Sequence, residues 1–263
     1  MVLTEEELKK VPEEIRKKLA PFLTGGKNAK VLNFIGAKGG VGTTTLAVNI
    51  ALGLCELEKP TALVDMNPLF GEVPIFLSIN DPAFNWGEIS KDISKLDSTY
   101  LMGVLTKHSS GLHVLPSPDR VNGYVSSGMM ERILSQMKGL FDYVIIDSGR
   151  QLDDNIADII KLTDTVFLVT NLTVPCLVNV KRLLFTITNL GYSRDRVKVI
   201  VNQKPKDPVA LKVAEGNIKK EIFWVIPENL QVATSAINKG EPILSSSVHS
   251  DISKSIRDLV KRI

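Results

Sequence analysis

Cysteine is scarce in this 263-residue chain: Cys55 and Cys176 lie far apart, each within an apolar stretch and without C-x-x-C spacing. Such placement argues against a disulfide framework or a cluster site and favours buried free thiols. The three histidines, His108, His113 and His249, have neither metal-ligand spacing nor an arrangement with a Ser or Cys nucleophile, so no zinc or triad chemistry is expected. No apolar run approaches the roughly eighteen residues of a membrane span. The first residues, Thr4 to Lys18, are charged rather than a signal-peptide core, and a cytoplasmic protein is the expectation. An excess of charge of either sign is also small: the net value of +3 does not argue for nucleic acid by itself. What is present is 44% hydrophobic and 23% charged side chains, enough for one sizeable α/β core with or without a short extension.

The beginning of the chain differs from the rest. Leu8, Val11, Ile15 and Leu19 recur at helical spacing among charges, after which Pro21 and Thr24-Gly25-Gly26-Lys27-Asn28 break the pattern. Residues 1–29 therefore read as an N-terminal helix and linker, and 30–263 as the main domain. The helix reads equally as a surface element or as the stub of a connection to a partner or upstream module. From Val31 onward strand and helix signals alternate. Strands are expected at 31–35, 61–65, 112–115, 142–147, 165–169, 197–201 and 222–226, several of them continuously apolar, as strands covered on both faces should be. Helical patterns fall at about 44–57, 128–137, 153–161, 175–190, 208–215 and 229–239. The economical topology is a mostly parallel, seven-stranded sheet flanked by helices, with ligands bound at the carboxyl ends of its strands.

The first strand ends in Gly36-Ala37-Lys38-Gly39-Gly40-Val41-Gly42-Thr43-Thr44-Thr45, followed by a helix. In the ordinary phosphate-binding loop, G-x-x-x-x-G-K-[ST], backbone amides surround the phosphates, the lysine reaches the β and γ oxygens, and the hydroxyl holds magnesium. Here Gly42 and Thr44 fit, Ala37 replaces the first glycine, and Thr43 replaces the lysine. Residues Gly39, Gly40, Val41, Gly42 and Thr43 would form the cradle. Thr44 would then be the metal ligand, with Thr45 beside the α-phosphate. The fourth strand ends in Asp147 after Val144-Ile145-Ile146, the pattern of an acid that holds the metal directly or through water; an Asp opening a loop or capping a helix is the bland alternative. Asp65, at the end of the second strand, is placed for the same metal. Asn67, two residues on, can orient a water but cannot take its proton at neutral pH.

Lys38-Gly39-Gly40-x-Gly42 followed by Thr43-Thr44 resembles the deviant Walker A motif of the MinD/ParA family of P-loop NTPases, and the resemblance covers the chain from about Lys30 onward. It implies a SIMIBI-type α/β fold, ATP or ADP with Mg2+ as cofactors, and a homodimer with nucleotide at the interface. It further implies that Lys38 crosses to the partner's nucleotide, that Asn202 in Val201-Asn202-Gln203 contacts adenine, and that the segment Ile226-Pro227-Glu228-Asn229 lines the base pocket. Within the family, five segments resemble the CpaE/TadZ branch, which positions and assembles Tad-type, type IVb pili. These are Leu63–Val73 with its Phe70-Gly71-Glu72, Ser110–Pro118, Phe141–Asp147, Leu190-Gly191-Tyr192 and Ala236–Pro242. That likeness implies pilus assembly proteins as partners and recruitment to the cell pole or inner membrane face, with peripheral membrane association through those partners. Members usually carry a receiver-like domain ahead of this one, so Thr4 to Asn28 would be its trailing linker or a short extension of its own.

Two departures bear on catalysis. Thr43 brings no ammonium, and Asn67 replaces the acid that the family places near the attacking water, which leaves Lys38 and Asn67 as the candidate catalytic residues. A lost charge-assisted contact costs about 1.5–3 kcal/mol. Nucleotide binding with slow or absent turnover is the resulting expectation, because phosphoryl transfer depends more than binding on placed charge. An active partition-type ATPase that binds DNA, and an iron–sulfur carrier of the same superfamily, are the competing readings; dispersed basic residues count against the first and unpaired cysteines against the second. Met129, Met130, Ile133, Leu134 and Met137 form a stripe that suits the core or a dimer surface. The C-terminal run from Ile252 to Ile263 suits a helix packed on the sheet better than one lying on a membrane, since it lacks aromatic anchors.

Overall fold

The computed structural model describes residues 28–68, 70–91, 93–118, 127–150, 154–204 and 209–263. The N-terminal helix expected before residue 28 lies outside the described residues.

Strand β1 (Lys30–Gly36) is the centre of the molecule. After Lys30 every one of its residues is buried, because it pairs in parallel with β5 (Tyr143–Asp147) on one side and β6 (Thr165–Thr170) on the other while helices cover both faces. Outward from β5 come β2 (Thr61–Asp65), β4 (His113–Leu115) and β3 (Thr106–Lys107); outward from β6 come β7 (Val197–Lys204) and β8 (Ile222–Pro227). The sheet thus has eight strands rather than the seven read from sequence. The extra strand, β3, pairs antiparallel with β4 through only two residues, too few to leave a periodic signal. All other neighbours are parallel.

Helix α1 (Thr43–Glu56) leaves the loop after β1 and is buried almost all round from Leu46 to Leu54, since it lies between the sheet and the C-terminal helix. Three short helices, α2 (Val73–Phe76), α3 (Trp86–Lys91) and α4 (Ser98–Val104), fill the stretch between β2 and β3, where the sequence shows no clear period. The Trp86 indole N–H donates to the Asp65 carbonyl at 2.9 Å, which anchors this stretch to the end of β2. Helices α5 (Ser127–Leu140), α6 (Asp154–Leu162), α7 (Val174–Asn189) and α8 (Val209–Ile218) follow, close to their expected bounds. The methionine stripe of α5 is core: Met129, Met130, Ile133, Leu134 and Met137 are all buried.

Three helices complete the chain: α9 (Leu230–Lys239), α10 (Ile243–Ser246) and α11 (Asp251–Arg262). Ser250 caps α11 by accepting from the Ser253 amide at 3.2 Å. Ile252, Ile256, Leu259 and Val260 bury its apolar face against α1 and β8, which leaves no such face for a membrane. Among the described residues no helix is long and apolar enough to cross one. Cys55 is half-buried and Cys176 buried, both as free thiols; burial pushes the Cys55 thiol up to about 11.

Candidate functional site

The chain turns at residues 37–42, where Gly40 and Gly42 have positive φ and the Ala37 amide donates to the Val169 carbonyl at 2.8 Å. Three side-chain amides from elsewhere in the fold hold carbonyls of this turn. Asn179 of α7 donates to the Ala37 carbonyl at 2.8 Å, Gln203 of β7 to Gly40 at 3.0 Å, and Asn202 of β7 to Val41 at 2.8 Å. Gly42 sits in the left-handed region at φ 84°, and a Cβ there would collide with the Asn202 amide, so glycine is needed for both reasons. Gly42 also occupies the cap position of α1 without a side-chain bond to the first-turn amides. Among the described residues nothing accepts from the amides of Thr43, Thr44 and Thr45. A helix start in this state presents orphan donors and partial positive charge, the requirement for an anion.

Beside the loop lie two buried carboxylates. Asp65 and Asp147 are direct partners in the β2–β5 register, so both end their strands at the same level. Asp65 accepts from the amides of Asn67 at 3.0 Å and Val73 at 3.2 Å. Asp147 accepts from the Gly149 amide at 3.1 Å and from the Thr44 hydroxyl. Burial first, and then the neighbouring Asp147 charge, pushes Asp65 up to about 7. Burial likewise pushes Asp147 up to about 6, against the lowering effect of Thr44. Two carboxylates held apart from water and close to each other favour a cation between them and the loop. The end of β5 is itself braced by Ser148, whose hydroxyl donates to Asn33 of β1 at 2.7 Å.

A cavity of about 730 Å³ opens over the loop and extends to α9. Its volume suits a nucleotide-sized ligand. Residues 29–199 match the model of a family described as an AAA domain. The septum site-determining protein MinD of Thermotoga maritima is 25% identical over 237 residues, which cover 86% of this chain and 84% of that protein. A ParA family ATPase from Chlorobium tepidum superimposes with a TM-score of 0.84 at 23% identity, over 90% of this chain and 100% of that one. MinD of Pyrococcus horikoshii, solved complexed with Mg-ADP, does so with a TM-score of 0.71 at 18% identity, over 89% and 95%. The chain belongs to the MinD/ParA family of P-loop NTPases.

As a MinD/ParA-type loop, the turn places Lys38, Gly39, Gly40, Gly42, Thr43, Thr44 and Thr45 on the cavity wall, together with Asn67, Asn202 and Pro227. Three expected site residues stand behind that wall. The Val41 side chain is buried in the core, so only its backbone serves the loop, and Asp65 and Asp147 lie beneath the surface with Thr44 in front of Asp147. Thr43 does not imitate the lysine it replaces: its hydroxyl is folded back to the place where a Cβ of Gly36 would be. Asn202 lines the cavity and donates one N–H of its side-chain amide to the Val41 carbonyl. The Asn67 side-chain amide donates to the Phe70 carbonyl at 3.2 Å. Pro227, Glu228 and Asn229 border the cavity where β8 gives way to α9.

Sequence reasoning missed four residues here. Asn179 and Gln203 are loop clamps whose role depends on β6, β7 and α7 converging behind residues 37–41; nothing local marks them, although Gln203 adjoins Asn202. Glu72 lines the cavity and adds repulsion to both buried carboxylates, and Arg150 lines it next to Gly39. Both follow motif residues closely in sequence, and that proximity was the available signal. Were magnesium bound, Thr44, Asp65 and Asp147 are the residues placed to hold it, and it would neutralise phosphate charge.

Proposed function

We propose that this protein binds ATP with magnesium and uses nucleotide state to control a homodimer that positions or assembles other proteins, with slow or absent hydrolysis. The observation that carries the reading is the loop itself: three of its carbonyls are held by side-chain amides, the amides of Thr43, Thr44 and Thr45 have no acceptor among the described residues, and Thr43 contributes no charge. The amide cradle, the helix terminus and the metal-facing carboxylates are binding groups. The missing ammonium at Thr43 and the missing acid at Asn67 are groups that phosphoryl transfer uses more heavily. Lys38, which is exposed and lines the cavity, would contact a second copy's nucleotide in this reading. The segments around Phe70-Gly71-Glu72 and Ala236–Pro242 support a role in a Tad/type IVb pilus system, and loss of surface pili on disruption of the gene checks that part.

Calorimetry and a phosphate-release assay on the native chain beside Thr43→Lys test the biochemical part. Native protein should bind ATP and release phosphate at least about tenfold more slowly than Thr43→Lys, the size of one charge-assisted contact. Brisk hydrolysis by the native chain overturns the slow-turnover reading. Steep salt-dependent binding to DNA would instead favour the partition-type reading, which the intact metal end at Thr44, Asp65 and Asp147 supports.

A further inference from the structure

We infer that Arg150 supplies, from the loop after β5, the cation that the phosphate loop lacks at Thr43, and that it acts on the terminal phosphate of a nucleoside triphosphate. The inference rests on the nucleotide-binding reading above and specifies which group makes that binding selective.

Two cationic side chains among the described residues line the cavity, Lys38 and Arg150. Arg150 lies flat along the start of the loop: an added Cβ at Gly39 would meet its Nη1 at 3.3 Å and its Cδ at 3.9 Å. Glycine at position 39 is what lets the guanidinium approach so near. Neither cation forms an ion pair among the described residues. Its position along the cavity decides which phosphate it meets. Asn202 and Pro227, with the apolar Leu230 and Ala233, stand at the β7–β8 side of β1 and suit a base. Asp65, Asp147 and Glu72 stand at the β2–β5 side, which suits the metal and the end of a triphosphate farthest from that base. Arg150 follows Asp147 by three residues and belongs to this second side. Carboxylates there would repel a γ-phosphate, and a guanidinium with paired donors offsets that repulsion in a way the Thr43 hydroxyl cannot.

Calorimetry with magnesium present, using the whole chain, tests this with ATP and ADP on native protein, Arg150→Gln, Thr43→Lys and the double variant, each checked for unchanged melting temperature. Arg150→Gln should weaken ATP about ten- to a hundredfold and ADP by less than about threefold. Thr43→Lys placed on Arg150→Gln should bring ATP back to within about threefold of native, because one cation then substitutes for the other. If native protein binds ATP and Arg150→Gln binds it equally well, or loses ATP and ADP alike, the assignment of Arg150 fails while the nucleotide reading stands. If native protein binds neither nucleotide, the nucleotide reading fails and this assignment with it.

Discussion

Asp65 concentrates the electrostatic tension of the site. Its carboxyl is pushed from an ordinary 3.8 up to about 7 by burial and by Asp147, which is itself raised to about 6. The folded protein therefore holds these protons more tightly than the unfolded chain. The stability they contribute is complete below about pH 4 and is lost as pH rises through the folded values. Ligand-free protein should lose about 1–3 kcal/mol between pH 5 and pH 8 in urea denaturation, and Asp65→Asn should flatten that slope. His108 and His113 have depressed values from burial and act in the opposite direction below about pH 6.5, so the difference between native and Asp65→Asn is the informative quantity. Added magnesium should recover stability at pH 8 in the native chain and little in Asp65→Asn. A slope unchanged by Asp65→Asn would show that this carboxyl is not the origin.

At the scale of elements, the loop between β1 and α1 keeps its shape through contacts made far away in sequence. Asn179, Asn202 and Gln203 donate to three loop carbonyls, of which that of Val41 is buried and would otherwise be unpaired. Asn202→Ala removes the donor to the buried Val41 carbonyl and should cost about 1–3 kcal/mol. It should also raise hydrogen exchange at residues 39–42 and weaken ATP and ADP alike, since the cradle would no longer be pre-shaped. That common loss contrasts with the ATP-selective loss expected for Arg150→Gln. Unaltered exchange at the loop in Asn202→Ala would remove the clamp from the account.

For the whole molecule, the C-terminal helix closes the fold. Beyond the buried face of α11, the Arg257 guanidinium makes a two-point pair with Glu56 of α1 at 3.0 and 3.1 Å and also donates to the Leu244 carbonyl at 3.0 Å. Arg262 lies over the rings of Phe223 and Trp224 of the edge strand β8 at 4.8 and 5.6 Å, covering that edge. The helix thus stabilises the domain by packing. Ile256→Ala should cost about 2–4 kcal/mol in urea denaturation, and the purified native chain should not sediment with anionic vesicles. Vesicle binding that Ile256→Ala abolishes without a change in stability would reverse this assignment.

The phosphate loop, the strand-end acids and the alternation of strand with helix were legible in the sequence because each is a local pattern: a glycine-rich turn between a buried strand and a helix, or a carboxylate ending an apolar run. The six helices from α1 to α9 that carry a clear period were legible for the same reason, whereas α2, α3, α4 and the two-residue β3 were too short to have one. Only the tertiary structure decided that Thr43 turns inward, that Asn202 holds the loop by its side-chain amide, and that Glu72 and Arg150 line the cavity. Those facts depend on distances between strands that the sheet order β3-β4-β2-β5-β1-β6-β7-β8 brings together. Sequence spacing specifies what a residue can offer; the crossing of the chain over the sheet determines which neighbour receives it.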